Sequence, residues 1–152
     1  GDDVLIGGEG ADQLWGGSGA DTFRFEGGTG ATTADKIASL GLDIINDYNA
    51  TENDLFELSN GDFALGAAGT LSDGTNYFEA ATTTLTGAAQ NLSGGVAAAG
   101  IVIIGDAVGS GGVGVYYTAD ASAMTTANSY QIADVKNANL TDLDASTFHL
   151  KS

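Results

Sequence analysis

The sequence predicts an all-β protein: a short parallel β-roll at the N-terminal end, followed by a mainly antiparallel, sandwich-like β cap with one or two short helices. Three observations predict it. A glycine-rich nonapeptide recurs without a gap near the start, the remainder is rich in β-formers gathered in short runs between small residues, and only one short stretch reads as helical. Three segments follow: residues 1–26, the repeats, truncated at their start; 27–60, a junction with capping strands; and 61–152, a C-terminal β domain.

The first segment carries most of the information. Gly7-Gly8-Glu9-Gly10-Ala11-Asp12-Gln13-Leu14-Trp15 is followed directly by Gly16-Gly17-Ser18-Gly19-Ala20-Asp21-Thr22-Phe23-Arg24, and Gly1-Asp2-Asp3-Val4-Leu5-Ile6 is the tail of an earlier copy. Asp3, Asp12 and Asp21 thus recur every nine residues in the frame G-G-x-G-x-D-x-U-x, a calcium-binding β-helix repeat. Glycine lets the backbone turn sharply and aim its carbonyls inward, as a hard cation requires, while Leu5, Leu14 and Phe23 at the U position fill the inside of a thin coil. So narrow a coil has almost no apolar core, and a divalent ion takes the place of burial. Without calcium this end is expected to be unfolded. A flexible glycine linker explains the composition but not the period.

In the junction, Gly27-Gly28-Thr29-Gly30 breaks the period. Asp35 to Leu40 reads as a short helical turn, and Asp43 to Tyr48 and Asp54 to Leu58 read as alternating strands around a polar turn. Further on, Gly100 to Ile104 is a buried-strand candidate, and Gly114 to Thr118 with Tyr130 to Val135 look like a hairpin pair. Thr82 to Leu92 fits a strand or a weak helix equally. Leu140 to Leu150 closes the chain with a turn and a short apolar end.

Charge narrows the partners. Twenty acidic residues against four basic ones give a formal charge of −16, and Arg24, Lys36, Lys136 and Lys151 are scattered. Nucleic acid and acidic membrane surfaces are therefore excluded, since both need clustered cations. The longest apolar run, Val96 to Ile104, is far too short to span a membrane. The chain has neither cysteine nor proline, which suits export unfolded and rapid folding outside the cell. No N-terminal signal peptide is visible; the chain begins inside a repeat and reads as a fragment.

The nonapeptides, Gly19-Ala20-Asp21-Thr22-Phe23, Asp43-Ile44-Ile45-Asn46-Asp47-Tyr48 and Asp54-Leu55-Phe56-Glu57-Leu58-Ser59 together resemble the C-terminal part of RTX proteins, most nearly the β-roll and cap of serralysin-type secreted proteins. The family pattern there is G-A-D-T-F, D-x-I-x-D-F and D-x-I-D-L-S, with Tyr48 here in place of Phe and Glu57 in place of the second Asp. Leu140 to Leu150 resembles the terminal L-x-x-x-D-F-x-L, with Thr147 where an acid is common. Residues 60–139 match no family motif.

The resemblance implies several calcium ions, each held between a turn and the turn two positions on. One would lie between Gly1, Asp3 and Gly16, Ser18, Asp21; a second would use Gly8, Gly10 and Asp12; a third Gly17, Gly19 and Asp21. Asp35, Asp43 and Asp47 are the candidates to close the far sides. It also implies a secreted, extracellular or cell-surface location, reached through a type I secretion machine that reads an uncleaved C-terminal signal. Extracellular modules bind calcium at about 10⁻⁴ to 10⁻³ M, far above the cytosolic level, so the chain would fold only outside.

Other motifs carry less. Asp47 to Asn53 starts like an EF-hand loop but has Glu52 where Gly is needed and Leu58 where the bidentate Glu belongs. Gly109 to Gly114 matches G-x-G-x-x-G, yet a strand rather than a helix follows it. His149 is the only histidine, and neither H-E-x-x-H nor G-x-S-x-G occurs. Trp15 and Arg24 take the outward last position of their repeats. The reading is a non-enzymatic, calcium-binding C-terminal module of a larger secreted bacterial protein. Two alternatives stay open: a surface-layer or adhesin domain that self-associates with calcium, and the non-catalytic tail of a secreted protease or lipase.

Overall fold

The computed structural model describes residues 1–66, 68–80, 98–105 and 112–152. It is mostly β with a few short helices. The ambiguous stretch Thr82 to Leu92 lies outside the described residues, as do positions 109–111 of the glycine-rich motif; its remaining residues, 112–114, begin a strand.

Each repeat folds as a loop and a short strand. β1 (Val4–Ile6), β2 (Gln13–Leu14) and β3 (Thr22–Phe25) place Leu5, Leu14 and Phe23 inward, because alternate residues of a strand face opposite sides. The outward neighbours Val4, Ile6 and Trp15 are 54, 47 and 57% exposed. The sharp turns between strands rest on Gly8 and Gly17, at φ 87° and 89°, where a Cβ would be strained.

The junction keeps the same path with longer connections. α1 (Thr33–Leu40) starts at Thr32, whose hydroxyl accepts the Asp35 N–H while the Asp35 carboxylate accepts the Thr32 N–H, a reciprocal cap. Its buried side is Ile37 and Leu40, and Gly41 at φ 80° ends it. β4 (Asp43–Ile45), β5 (Leu55–Ser59) and the one-turn α2 (Asn60–Phe63) follow. Then come β6 (Gly69–Thr70), β7 (Tyr77–Ala80), β8 (Gly100–Gly105), β9 (Gly112–Thr118), β10 (Ser129–Lys136) and β11 (Phe148–Lys151).

Two sheets result, with orders β1-β3-β5-β11-β6 and β2-β4-β10-β9-β8-β7. Successive strands from β1 to β5 enter the two sheets in alternation, and every pair among them is parallel. The later segment adds the antiparallel pairs β9/β10, β8/β9 and β6/β11, together with parallel β7/β8. It joins the earlier strands in parallel, β10 on β4 and β11 on β5. The expected hairpin between Gly114–Thr118 and Tyr130–Val135 is the β9/β10 pair.

One apolar core fills the space between the sheets. Phe23, Phe56, Leu58 and Phe148 enter it from the first sheet, and Ile45, Val135, Val115 and Ile103 from the second. Phe56 sits at its centre, with ring centroids 5.0 Å from Phe148, 5.4 Å from Tyr48 and 5.9 Å from Phe23. Residues Ile101 to Ile104 are all buried because β8 has a second cover. Val102 and Ile104 face a separate cluster with Phe78, Ala80, Ala121 and Met124. A strand covered on both faces reads as a continuous apolar run.

Candidate metal centre

Because the chain crosses between sheets at each turn, its loops stack in two columns. Loops 1–3, 16–21, 46–54 and 137–147 lead into the first sheet, and loops 7–12 and 26–42 lead into the second. An aspartate stands at the entry to each of the early strands, so the carboxylates of one column lie rung over rung. In the first column the Asp3 N–H donates to Asp21 Oδ1 and the Asp21 N–H donates to Asp54 Oδ1, both at 2.9 Å. In the second, the Asp12 N–H donates to Asp43 Oδ1 at 3.0 Å. Beside each runs a strand bond of 2.8 Å, from Thr22, Leu55 and Ile44 N–H to the carbonyls of Asp3, Asp21 and Asp12.

In Asp21 and Asp43 Oδ1 is thereby used, and Oδ2 turns toward the first glycine of a loop. A methyl group on Gly7 would stand 2.7 Å from Asp43 Oδ2 and 3.1 Å from Asp12 Oδ2; one on Gly16 would collide with Asp21 Oδ2. Asp12 Oδ2 and Asp21 Oδ2 are buried and have no hydrogen-bond partner. An anionic oxygen shut away from water is costly unless a positive charge meets it. Carboxylates and glycine-loop carbonyls are the hard oxygen donors that calcium takes, so the residues present fit the ion. Among the described residues no three acidic or histidine side chains form a cluster able to grip a metal alone. Backbone oxygens would therefore have to supply much of any coordination sphere.

Electrostatics mark the second column most clearly. Burial, against the pull of the Asp12 N–H and with the Asp12 charge beside it, pushes the Asp43 carboxyl up to about 6 from its ordinary 3.8; burial raises Asp54 as well. With its folded pKa raised, metal-free Asp43 contributes stability that is complete below about pH 4 and is lost as pH rises through about 6. A carboxyl that holds its proton up to about pH 6 must lose it before it can face a cation, so the calcium concentration needed for folding should rise as pH falls from 7 through 6; a folding midpoint in calcium that does not change with pH would refute the assignment.

The other sequence candidates divide. The Gly1 ammonium donates to Ser18 O, and Gly19 packs under Gly1 and Asp2. The Gly16 and Gly17 N–H groups donate to the two oxygens of Asp47, each at 2.9 Å, so Asp47 closes loop 16–21 through its amides. Gly10 donates to Ser39 O at the end of α1, and Gly8 faces open space. Asp35 is not brought to the columns by its carboxylate, which caps α1 and is held below its usual range by the Thr32 hydroxyl and N–H.

Three carboxylates outside the candidate set take part. Asp54 is the third rung of the first column, Asp2 accepts the Ala20 N–H, and Asp62 on α2 accepts the Gly27 and Gly28 N–H groups much as Asp47 serves Gly16 and Gly17. A signal for Asp54 was available: Asp54-Leu55-Phe56 repeats the D-x-U of Asp21-Thr22-Phe23 without the nine-residue spacing. The basic residues are all occupied. Arg24 pairs with Glu57 (2.6 Å), Lys151 with Glu26 (3.0 Å), Lys36 with Asp62 (3.7 Å) and Lys136 with Asp134, which leaves no basic patch.

The rungs, the glycine loops and the orphaned oxygens have an independent counterpart in the sequence, since residues 1–31 match the family model of the RTX calcium-binding nonapeptide repeat, 4 copies. Residues 1–31 are RTX repeats. RTX repeats bind calcium, so the chain carries a calcium-binding RTX module. No curated protein and no solved structure matches the chain. Among the described residues no helix is long and apolar enough to cross a membrane.

Proposed function

We propose that this chain is the calcium-dependent C-terminal module of a larger secreted bacterial protein: a β-roll that folds on meeting extracellular calcium, followed by a cap that includes a type I secretion signal. The observation that carries the calcium-dependent part is the buried Oδ2 of Asp21, on a side chain 1% exposed, with no proton donor in reach. Asp21 Oδ1 is satisfied by the Asp3 N–H, and its Oδ2 awaits a charge of opposite sign. Calcium would neutralise the columns when bound. The protein's own residues do the rest: glycines bend the loops, Leu5, Leu14 and Phe23 fill the interior, and Asp47 and Asp62 fix the loop amides.

The resemblance and the composition support export. A chain with no cysteine and no proline and a charge of −16 has no slow covalent or isomerisation step and a strongly self-repelling unfolded state, which suits passage in extended form. The module has no catalytic role in this reading. Circular dichroism during a calcium titration, with magnesium as control, tests it. Strand signal should rise at about 10⁻⁴ to 10⁻³ M calcium and stay low in matched magnesium, which demands octahedral geometry and sheds water reluctantly. Full strand content in excess chelator would defeat the proposal.

A further inference from the structure

We infer that the ion sites run past the repeats, and that Asp54, in a loop without the nonapeptide motif, completes a cation site with Asp21. The inference rests on the calcium reading above. Only the pair Asp3–Asp21 lies wholly inside the matched residues 1–31. Asp21 and Asp54 reproduce the two rung bonds of that pair. In both, the upper N–H meets the lower Oδ1 at 2.9 Å, the residue after the lower aspartate donates to the upper carbonyl at 2.8 Å, and the side chains two residues on, Leu5, Phe23 and Phe56, are in register.

The second observation is independent of that likeness. Asp21 is 1% exposed, and its Oδ2 has no partner although Oδ1 is satisfied. It turns toward Gly16, whose N–H is held by Asp47 of loop 46–54, the loop that ends at Asp54. The orphaned oxygen therefore lies where the last nonapeptide loop meets a non-repeat loop. Asp54 is itself 4% exposed, and its oxygens accept the Asp21 and Asn49 N–H groups. A carboxylate oxygen that accepts one N–H keeps a lone pair for a metal. The ligand class is a hard divalent cation with oxygen preference, and the wall opposite the repeat is built by a loop whose sequence carries no glycine frame.

Crystals of the full 152-residue chain grown in calcium chloride give the first test. An ion is expected between loops 16–21 and 46–54, about 2.3–2.6 Å from Asp21 Oδ2 and from an Asp54 oxygen. Calorimetric titration with calcium gives the second. Asp54→Asn, which keeps an acceptor for the Asp21 N–H, should bind one ion fewer than the parent, while Glu52→Gln in the same loop should leave the number unchanged. Should Asp54→Asn fail to fold, the crystal decides alone. An ion in any other pair of stacked loops with none beside Asp54 overturns this inference and leaves the calcium reading intact; no ion in either column overturns both.

Discussion

Removal of residues 148–152 is expected to unfold the domain even in saturating calcium. β11 is the end of the described chain, yet it lies inside the first sheet, parallel to β5 on one side and antiparallel to β6 on the other. Phe148 is 0% exposed, with its ring 5.0 Å from Phe56 and 5.7 Å from Tyr77, and Leu150 is 4% exposed. Burying two such side chains is worth about 3–6 kcal/mol, and their loss would also wet Phe56 and Leu58 and leave the β5 edge unpaired. A small domain has about 5–15 kcal/mol in all. Thermal melting followed by far-ultraviolet circular dichroism in calcium should show no cooperative transition for the truncated chain; a melt within a few degrees of the parent would show that β11 is dispensable.

Phe56→Ala should be the most damaging single substitution in the core. Its ring is the only one within contact range of Phe23, Phe25, Tyr48 and Phe148 together, so truncation opens a void walled by stiff aromatic rings that cannot collapse into it. A loss of about 3–5 kcal/mol is expected, read from urea denaturation at fixed calcium. More calcium should be needed to fold this variant, since binding must then drive a costlier transition, while the number of ions bound stays the same. A drop in ion number would mean that Phe56 shapes the site itself rather than the core beside it.

How much of this was legible in the sequence depends on how local each cause is. The nine-residue period announced Asp3, Asp12 and Asp21, because loop, strand and carboxylate all lie within one repeat. The α1 helix was readable from Asp35 to Leu40, and the β9/β10 hairpin from two alternating runs, for the same reason. Asp43 is readable as a candidate but its partner is not, since Asp12 and Asp43 are separated in sequence by β2, β3 and α1. Asp54 is hidden because loop 46–54 breaks the nine-residue spacing while preserving D-x-U. Asp35 shows the opposite case: an exposed carboxylate beside a helix start has a closer use as a cap.

The parallel returns of β10 onto β4 and β11 onto β5 had no local signal at all. Parallel neighbours are far apart in sequence, and nothing in Phe148-His149-Leu150-Lys151 names Phe56-Glu57-Leu58-Ser59 as its mate. What selects the pairing is register: Phe148 over Phe56 and Leu150 over Leu58 keep the apolar residues of both strands on the interior side. That choice is made by the folded whole.

The alternation of strands between the two sheets sets a parity rule for length change in the repeats. Nine residues carry the chain across to the opposite sheet, and eighteen restore it to the edge it left, as Val4 over Thr22 shows. With β10 and β11 fixed at the far end, duplication of a single copy would send the opening residues out on the other edge and exchange the carboxylates of the two columns. Duplication in twos would only lengthen the coil. Even-numbered gains and losses are thus the ones this architecture absorbs without moving its first strand to the opposite sheet.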